Sequence, residues 1–433
     1  MDGALIRMKR FARLRLLHSE VEFLSTSVMR ASGTKPGMVF LIGNVLALSY
    51  IVPASSLALF FAASALLIYC RQWIGEQERG VYQGFAIGVL LLLLFYYHAG
   101  PSVAGEASPL GWLLQRVSPA LVEKLRAPNL LSSVGISYCF LRSVYALLEP
   151  KFDLWSFTRY YFFFPTFFSG PVMRPDEYLG QTSAFHRSNV APGLARMSLG
   201  AIKVMLSLVL QGLIPLTSPS GMIDVIQAHS VLSAWFFAFM AGAWLWLNFS
   251  GFSDICIGFA KLCNIAVPEN FNNPFAARDI TDFWRRWHMS LATWLRTCIY
   301  TPLSRRLGRR LGQQHLLLFF LPPVATMVVC GLWHGISSCY LLWGMLHGLG
   351  LVAHQLWKST IATNFPIAFR QSPVYAAVAW VATHAYVALS WVFFFPSPTP
   401  SLLHSLLYLT RMFGVAQYKI DTAITSFVAT IPF

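Results

Sequence analysis

The residues best suited to chemistry are histidines that lie in or beside apolar sequence. His334 and His347 both occur in VVCGLWHGISSCYLLWGMLHG (328–348), and His288 occurs in DFWRRWHMSL (282–291). An ionisable side chain at bilayer depth marks a functional site by default, because its burial costs free energy. A neutral imidazole can accept a proton from a hydroxyl, so His334 could act as a general base. The alternative is that His334 packs as a neutral side chain and hydrogen-bonds a carbonyl of a neighbouring helix.

The other two histidines receive different interpretations. His347 follows His334 by thirteen residues, which is about 220° around an ideal helix, so we expect the two side chains to face apart. We therefore interpret His347 as structural. His288 follows Arg285, Arg286 and Trp287, so it could assist proton transfer near a cytoplasmic opening. The alternative is a histidine in an interfacial aromatic belt.

Basic and polar residues near these histidines suggest a binding site. Arg285 and Arg286, together with Arg296, could bind phosphates, because guanidinium forks match phosphate oxygens. The alternative is charge that sets membrane topology and snorkels to the interface. Asn270 and Asn273 lie in PENFNNPF, which suits an irregular turn lining a polar cavity, and we place both among the substrate-binding candidates.

An acid lies in the apolar run NFSGFSDICIGF (248–259). Asp254 is the only acid of this run, so it should face the interior of a helix bundle. There it would pair with an arginine or accept a hydrogen bond from Ser250 or Ser253. We expect Asp254 and Ser250 to be structural polar residues that hold helices in register. The sequence contains no HExxH motif, no P-loop and no metal-binding cluster.

Composition shows which elements must position these residues. The chain has 433 residues, of which 56% are hydrophobic and 11% are charged, whereas soluble domains carry about 25% charged residues. This composition predicts an all-α polytopic integral membrane protein. Apolar segments near 37–52, 54–70, 82–97, 131–148, 155–173, 197–216, 230–247, 251–265, 317–332, 336–355 and 374–396, with a weaker one near 402–430, predict roughly ten or eleven transmembrane helices.

The distribution of charge indicates topology. The net charge is +15, and the segment 1–36 is basic, so we expect it to be cytoplasmic or interfacial. SRRLGRRLG (304–312) also indicates a cytoplasmic loop. Around it, 266–316 is polar, basic and aromatic, and it predicts re-entrant or interfacial helices, one of them from about 279 to 298 with Asp279 or Thr281 as its cap. The seven cysteines form no CxxC pair and suggest no disulfide framework.

Several blocks together resemble the membrane-bound O-acyltransferase family. They are FWRRWHMSL (283–291), LWHG (332–335) with its histidine 46 residues after His288, NFSGFSDICIGFAKL (248–262), PENFNNPF (268–275), GISYCFLRSVYALLE (135–149) and FFPTFFSGPVMR (163–174). The resemblance covers about 135 to 355 and is strongest to the bacterial branch, which includes alginate O-acetylases and teichoic-acid D-alanyl transfer proteins. Many relatives carry an acid after the position of Arg296, where this chain has Thr297.

The resemblance implies an acyltransferase whose helices surround a central channel. It maps the family's essential histidine onto His334 and its second histidine onto His288; Trp333, Gly335 and Trp287 would then contact substrate. The acyl donor would be a cytoplasmic thioester, acetyl-CoA or an acyl carrier protein, with no tightly bound cofactor. The acceptor would be a glycan hydroxyl or a periplasmic or extracellular partner transferase, and the location the inner membrane of a bacterium. Domains would be 1–36, 37–130, a catalytic core at 131–355 and a C-terminal part at 356–433.

Three other functions stay open at this stage. D-alanyl transfer from a carrier protein toward teichoic acid is the alternative within the same chemistry. A transporter or channel could use the histidines as a proton relay without any acyl chemistry. A scaffold subunit that docks a soluble acyltransferase would need none of the histidines to react.

Overall fold

The computed structural model describes residue 44 and residues 54–103, 130–149, 153–167, 169–181, 186–214, 230–312, 315–395 and 402–415. The predicted basic segment 1–36, the pass predicted near 37–52 apart from residue 44, and the part of the weak candidate 402–430 beyond 415 lie outside these ranges. All regular elements of the described residues are helical. Numbered in chain order within them, the α-helices are α1 (Ala54–Arg71), α2 (Arg79–Val103), α3 (Leu130–Leu148), α4 (Leu154–Tyr161), α5 (Pro175–Leu179), α6 (Val190–Leu213), α7 (Val231–Leu262), α8 (Ile280–Arg286), α9 (Met289–Leu295), α10 (Thr301–Leu311), α11 (Leu316–His334), α12 (Ser338–Leu356), α13 (Ile367–Arg370), α14 (Pro373–Phe394) and α15 (Leu402–Met412).

Several helices are suited to a bilayer by length and composition. Among the described residues, four are long and apolar enough to cross a membrane: Arg187–Leu213, Val231–Leu262, Leu316–His334 and Pro373–Phe394. Their surfaces carry many exposed large hydrophobic side chains, as lipid-facing helices require. The chain is a multi-pass membrane protein; the count of ten or eleven passes stays a prediction.

Helix α7 corrects one sequence prediction. The segments 230–247 and 251–265 were expected to be separate passes, but one helix of 32 residues runs through both. Gly251 lies in its middle because helix α6 packs there: a Cβ atom on Gly200 of α6 would collide with the carbonyl oxygen of Gly251. The two backbones are therefore in contact, as small residues permit in membrane helix pairs.

The segment 155–173, predicted to be apolar enough for a pass, does not form one long helix. Helix α4 has only eight residues, and a single 3₁₀ turn (Phe164–Thr166) follows, with Pro165 at its start. The guanidinium of Arg142 on α3 donates to the carbonyl of Tyr161 at 2.8 Å and to the Thr166 hydroxyl. A buried arginine thus binds backbone groups that the ended helix leaves without partners.

The helix predicted from about 279 to 298 is broken in two. Asp279 caps α8, since its carboxylate accepts a hydrogen bond from the Asp282 amide at 2.7 Å. Helix α8 ends before Trp287, and His288 has a left-handed backbone with φ 43° before α9 begins. The Met289 amide donates instead to the carbonyl of Asn270 at 2.9 Å, so the preceding loop satisfies the interrupted backbone.

Helices α11 and α12 form an antiparallel hairpin whose backbones touch. The turn lies at 335–337, and Ser337 caps α12 through the Tyr340 amide. Gly344 of α12 lies against the Met327 carbonyl oxygen of α11, where a Cβ atom has no room. His334 therefore ends one helix and His347 belongs to the next, so the helical-wheel argument that separated them on a single helix was wrong.

Candidate active site

A buried cavity of about 360 Å³ brings both predicted catalytic histidines together. We call it the histidine cavity. Helices α3, α7, α8, α9, α11, α12 and α14 contribute to it, together with the break before α9. Its described lining is mostly aromatic and is formed by Ser137, Tyr138, Ser169, Leu245, Phe249, Trp284, Trp287, His288, Leu291, Trp333, His334, Tyr340, Trp343, Trp391 and Phe394.

His334 enters this cavity from the last position of α11. Its ring lies 4.7 Å from the Trp333 ring and 4.9 Å from the Phe394 ring, measured between centroids. The following residue, Gly335, allows the Tyr340 ring to approach, because a Cβ atom there would lie 2.6 Å from that ring. Gly335, predicted to contact substrate, thus lies against the ring of Tyr340, a residue of the cavity lining.

His288 is oriented by a chain of buried polar groups. Its Nδ1 atom lies 2.9 Å from Oδ1 of Asn270, which also accepts from the Ser290 hydroxyl at 2.8 Å. The Asn270 amide nitrogen donates to Ser253 Oγ at 3.1 Å. Because Oδ1 only accepts, His288 carries its proton on Nδ1 and presents an unprotonated Nε2. Of the two asparagines predicted to bind substrate, Asn270 thus contacts His288 directly.

The free lone pair of His288 faces a hydroxyl. Nε2 lies 3.4 Å from the Tyr138 hydroxyl, which lines the same cavity. His288 is 2% exposed, and burial lowers the pKa of its imidazole well below the ordinary value, with the nearby His334 lowering it further. His288 is therefore neutral and able to accept a hydrogen bond or a proton at Nε2.

Trp333 lies between the two histidines. Its ring centroid is 6.5 Å from that of His288 and 4.7 Å from that of His334. The indole N–H donates to the Ser137 carbonyl at 3.3 Å, which fixes the ring. Trp333 and Trp287, both predicted to contact substrate, line the histidine cavity.

A second cavity of about 420 Å³ lies farther along the α11–α12 hairpin. We call it the basic cavity, since Arg285, Arg296 and Lys358 line it with a single acid, Asp279, among the described residues. Two π-helical turns, Arg296–Tyr300 and Trp357–Ile361, carry two of these cations. π turns frequently occur at functional sites. Its complete described lining is Asp279, Thr281, Trp284, Arg285, Ala292, Leu295, Arg296, Tyr300, Pro323, Thr326, Met327, Leu351, His354, Gln355 and Lys358.

The structure separates the two neighbouring arginines. Arg285 lines the basic cavity, whereas Arg286 is paired with Asp282 at 2.9 Å and lies outside both described linings. Asn273 is exposed at a turn, where it has φ 44° and precedes a 3₁₀ turn. Of the residues predicted to bind substrate or phosphate, four line a cavity: Arg285, Arg296, Trp287 and Trp333.

Asp254 is held by two cations of α6. Its carboxylate accepts from Arg196 at 2.7 Å and from Lys203 at 2.6 Å, and it is 4% exposed. The expected pairing with an arginine is present. Ser253 instead binds Asn270, and the Ser250 hydroxyl has no hydrogen-bond partner among the described residues. Asp254 lies outside the described linings of both cavities and joins α6 to α7.

Several lining residues were not singled out in the sequence. Tyr138 and Ser137 lie within GISYCFLRSVYALLE, but their polar groups looked no different from other polar positions of an apolar helix. Trp343, Trp391 and Phe394 come from helices whose mutual packing no local pattern reveals. No group of three or more His, Cys, Asp or Glu side chains among the described residues is arranged to hold a metal ion.

Comparison with known proteins gives this arrangement a family context. The model of the family described as MBOAT, membrane-bound O-acyltransferase family, matches residues 54–395, a longer stretch than the predicted 135–355. The peptidoglycan O-acetyltransferase of Helicobacter pylori is 29% identical over 273 residues, covering 61% of this chain and 48% of that protein. The probable alginate O-acetylase AlgI of Pseudomonas aeruginosa is 30% identical over 278 residues, covering 61% and 49% respectively.

A teichoic acid D-alanyltransferase of Streptococcus thermophilus is also similar, at 30% identity over 251 residues, covering 54% of this chain and 60% of that protein. The chain thus spans about half the length of the curated relatives it matches. The family model, in contrast, covers most of this chain and includes both histidines and both cavities. This protein belongs to the membrane-bound O-acyltransferase family.

Proposed function

We propose that this protein is an O-acyltransferase that takes an acyl group, acetyl in the first instance, from a cytoplasmic thioester. The acceptor is a hydroxyl of a cell-surface polysaccharide, reached directly or through a partner transferase outside the membrane. The observation that carries the proposal is the histidine cavity, in which His334 and a neutral, oriented His288 line one buried space. Relatives named peptidoglycan O-acetyltransferase and alginate O-acetylase support it.

In the proposed chemistry His334 is the base, and the neutral His288 assists proton transfer from the same cavity. His334 accepts the proton of the acceptor hydroxyl while the hydroxyl oxygen attacks the thioester carbonyl carbon. The negative charge that develops on the carbonyl oxygen needs a hydrogen-bond donor, and the Tyr138 hydroxyl, which faces His288 Nε2 at 3.4 Å without substrate, would turn to supply it. When the carbon–sulfur bond breaks, the imidazolium of His334 returns its proton to the sulfur. An ester and a free thiol are the products.

The basic cavity suits the donor. Arg285, Arg296 and Lys358 would bind the phosphates of coenzyme A or of a carrier's phosphopantetheine arm. This cavity lies toward the beginning of α11, the end that follows the arginine-rich helix α10, and the positive-inside rule assigns such an end to the cytoplasm. Met327 of the basic cavity precedes His334 by seven residues on α11, about 10 Å along a helix. A long flexible thioester arm can cover that distance.

The choice of acetyl over D-alanyl rests on charge. D-alanyl carries an ammonium group, and a buried ammonium requires a partner of opposite charge. None of the described residues lining the histidine cavity is an acid. D-alanyl transfer from a carrier protein toward teichoic acid remains the second candidate because of the D-alanyltransferase relative.

The wider setting belongs to the same proposal. We place the protein in the inner membrane of a bacterium, with ten or eleven transmembrane helices around a central channel that joins the donor side to the acceptor side. Residues 131–355 form the catalytic core, and helices at 37–130 and 356–433 flank it. The thioester is a substrate, and no tightly bound cofactor takes part.

The test is the O-acyl content of the surface glycan, measured by NMR in cells that lack the native copy. These cells would express wild-type protein, His334→Ala or His334→Gln at matched membrane levels. We expect both variants to abolish an ester signal whose chemical shifts identify the acyl group, while the exposed His186→Gln retains it. An unchanged ester signal in the His334 variants would refute the proposal and favour a scaffold, and retained solute flux without ester formation would favour a transporter.

A further inference from the structure

One side chain forms part of both cavities. Trp284 of α8 is the residue shared by the described linings of the histidine cavity and the basic cavity. It is 8% exposed, and its ring lies edge-on to Trp343 at 5.9 Å between centroids. The two described cavities therefore adjoin at this indole.

The orientation of Trp284 is fixed by a histidine that the proposed reaction does not use. The indole Nε1–H donates to Nδ1 of His347 at 3.2 Å. An indole nitrogen can only donate, so Nδ1 of His347 is unprotonated. The neutral ring then carries its proton on Nε2, which lies 2.9 Å from the Ser390 hydroxyl oxygen.

Ser390 completes the arrangement and determines which nitrogen of His347 holds the proton. Its own hydroxyl donates to the Val387 carbonyl at 2.7 Å, so its oxygen is left to accept from His347. His347 is fully buried, and the Trp343 ring packs against it at 4.7 Å. Turning the indole away would leave a buried acceptor without a partner, which is unfavourable. The hydrogen bonds from Trp284 to His347 and from His347 to Ser390 therefore hold the indole in one position.

We infer that Trp284 sets the size of the acyl group that reaches His334, and that His347 and Ser390 are positioning residues that hold Trp284 in place. This inference rests on the proposed acyl transfer and names its substrate class as short-chain acyl thioesters. With the indole in place the histidine cavity keeps its about 360 Å³. Without it the two cavities have no shared side chain between them, and a longer acyl chain gains the added space.

The experiment measures chain-length preference in the reconstituted full-length protein. Acetyl-, butyryl- and hexanoyl-coenzyme A compete as donors, and the ratio of kcat/KM for hexanoyl over acetyl is the readout. We expect Trp284→Ala to raise this ratio by about tenfold or more, since a few methylenes in an apolar pocket produce such differences. Trp284→Phe should give an intermediate ratio. The exposed Trp155→Phe is the matched control and should keep the wild-type ratio.

The positioning residues have their own variants. His347→Phe and Ser390→Ala should raise the ratio of kcat/KM for hexanoyl over acetyl. The first change removes the acceptor of the Trp284 hydrogen bond, and the second removes the partner that keeps the His347 proton on Nε2. His347→Gln offers one acceptor and one donor and should restore the wild-type ratio. A loss of stability alone would lower kcat/KM equally for all donors and leave the ratio unchanged. Unchanged ratios in folded Trp284 variants would overturn the inference. If the Trp284 variants changed the ratio but His347→Phe and Ser390→Ala did not, the positioning role would be overturned.

The binding of non-reactive thioethers distinguishes failure of the proposed acyl transfer from failure of the size-setting role of Trp284. S-ethyl- and S-hexyl-coenzyme A are thioethers that cannot transfer an acyl group, so their affinities report the space beside Trp284 alone. We expect Trp284→Ala to strengthen S-hexyl binding relative to S-ethyl binding. Wild-type protein that binds thioethers in this pattern but transfers no acyl group would refute the proposed function and leave the size-setting role intact. Equal affinity ratios in wild type and Trp284→Ala would refute the size-setting role.

Discussion

Asn270 Oδ1 lies 2.9 Å from Nδ1 of His288, which lines the histidine cavity. The same oxygen accepts from the Ser290 hydroxyl, and Asn270 is fully buried. This contact places the imidazole proton on the atom that faces away from the Tyr138 hydroxyl. A loop residue outside the described cavity lining thereby determines which nitrogen of His288 is available there.

Replacing Asn270 should reduce turnover more than substrate affinity. Asn270→Ala removes the acceptor and allows the wrong tautomer, so we expect kcat to fall by about 10²-fold, the lower range for general acid–base contributions. Asn270→Asp keeps an acceptor at the same atom and should retain most of the activity. The measurement is thiol release from acetyl-coenzyme A in proteoliposomes.

The control for Asn270 comes from the same loop. Asn272 is exposed and uses its backbone amide, which donates to the Arg286 carbonyl at 2.9 Å, so Asn272→Ala should behave as wild type. Equal kcat values for Asn270→Ala and Asn272→Ala in folded protein would contradict the orienting role. A rise in KM at constant kcat would instead indicate that Asn270 contacts substrate.

Burial of His288 predicts how stability depends on pH. A histidine in an unfolded chain has a pKa near 6.5, and burial holds the pKa of His288 well below that in the folded protein. Between the two values the unfolded chain binds the proton and the folded chain does not. Folding stability therefore falls as the pH drops below about 6.5, by at most about 1.4 kcal/mol per pH unit for this one group.

Thermal unfolding in detergent between about pH 7.5 and about pH 5.5 checks this sign. We expect the Tm of wild type to decline toward acid pH and that of His288→Gln to decline less steeply. The exposed His186→Gln should follow wild type. Parallel Tm curves for wild type and His288→Gln would show that His288 takes up its proton equally in both states.

The backbone around His288 was only partly predictable from the local sequence. The helix predicted from about 279 to 298 is present as two helices, and Asp279, one of the two caps considered, caps the first of them. The break at Trp287 and His288 could not be predicted, because its cause is a hydrogen bond from the Met289 amide to the Asn270 carbonyl, nineteen residues earlier in the chain. Local propensity favours one continuous helix there, but the tertiary hydrogen bond divides it into α8 and α9.

Arg285 and Arg286 should differ in their effect on the donor. Arg285 lines the basic cavity, whereas Arg286 is occupied by Asp282. We expect Arg285→Gln to raise the KM for acetyl-coenzyme A by about tenfold, the loss of one charge-assisted contact, with little change in kcat. Arg286→Gln should change KM little. The same kinetic assay with both variants checks this.

Two further variants sharpen the arginine test. Lys358→Gln removes another cation of the basic cavity and should raise KM in the same way as Arg285→Gln. Arg309→Gln alters an exposed residue of α10 and should leave KM as in wild type. An equal effect of Arg285→Gln and Arg309→Gln would mean that general positive charge, rather than this cavity, attracts the donor.

The long apolar helices were predictable to different degrees. The apolar runs at 317–332, 336–355 and 374–396 coincide closely with α11, α12 and α14, since hydrophobicity alone determines such helices. The continuous α7 was missed because NFSGFSD carries small and polar residues that favour an interruption. Those residues are compatible with a helix because α6 covers them with close backbone contacts and with cations for Asp254.

Asp254 should therefore be required for stability. Its carboxylate accepts from Arg196 at 2.7 Å and from Lys203 at 2.6 Å, and it is itself buried. Asp254→Asn removes the buried charge that Arg196 and Lys203 share, and it leaves Lys203 without a described carboxylate partner. Breaking a buried ion pair in this way destabilises a protein by about 3 kcal/mol or more. We expect a clear loss of Tm in detergent and lower membrane levels of the protein.

The double variant tests whether charge or shape is responsible. Arg196 also pairs with Glu269, so Lys203→Met is the better second change, since it removes the cation that has no other described carboxylate partner. Combined with Asp254→Asn it should recover part of the lost Tm. The exposed pair of Arg174 and Asp176 supplies the control, because Asp176→Asn should cost less than about 1 kcal/mol. If Asp254→Asn and Asp176→Asn lowered Tm equally, the α6–α7 pairing would owe its stability to the contacting glycines rather than to Asp254.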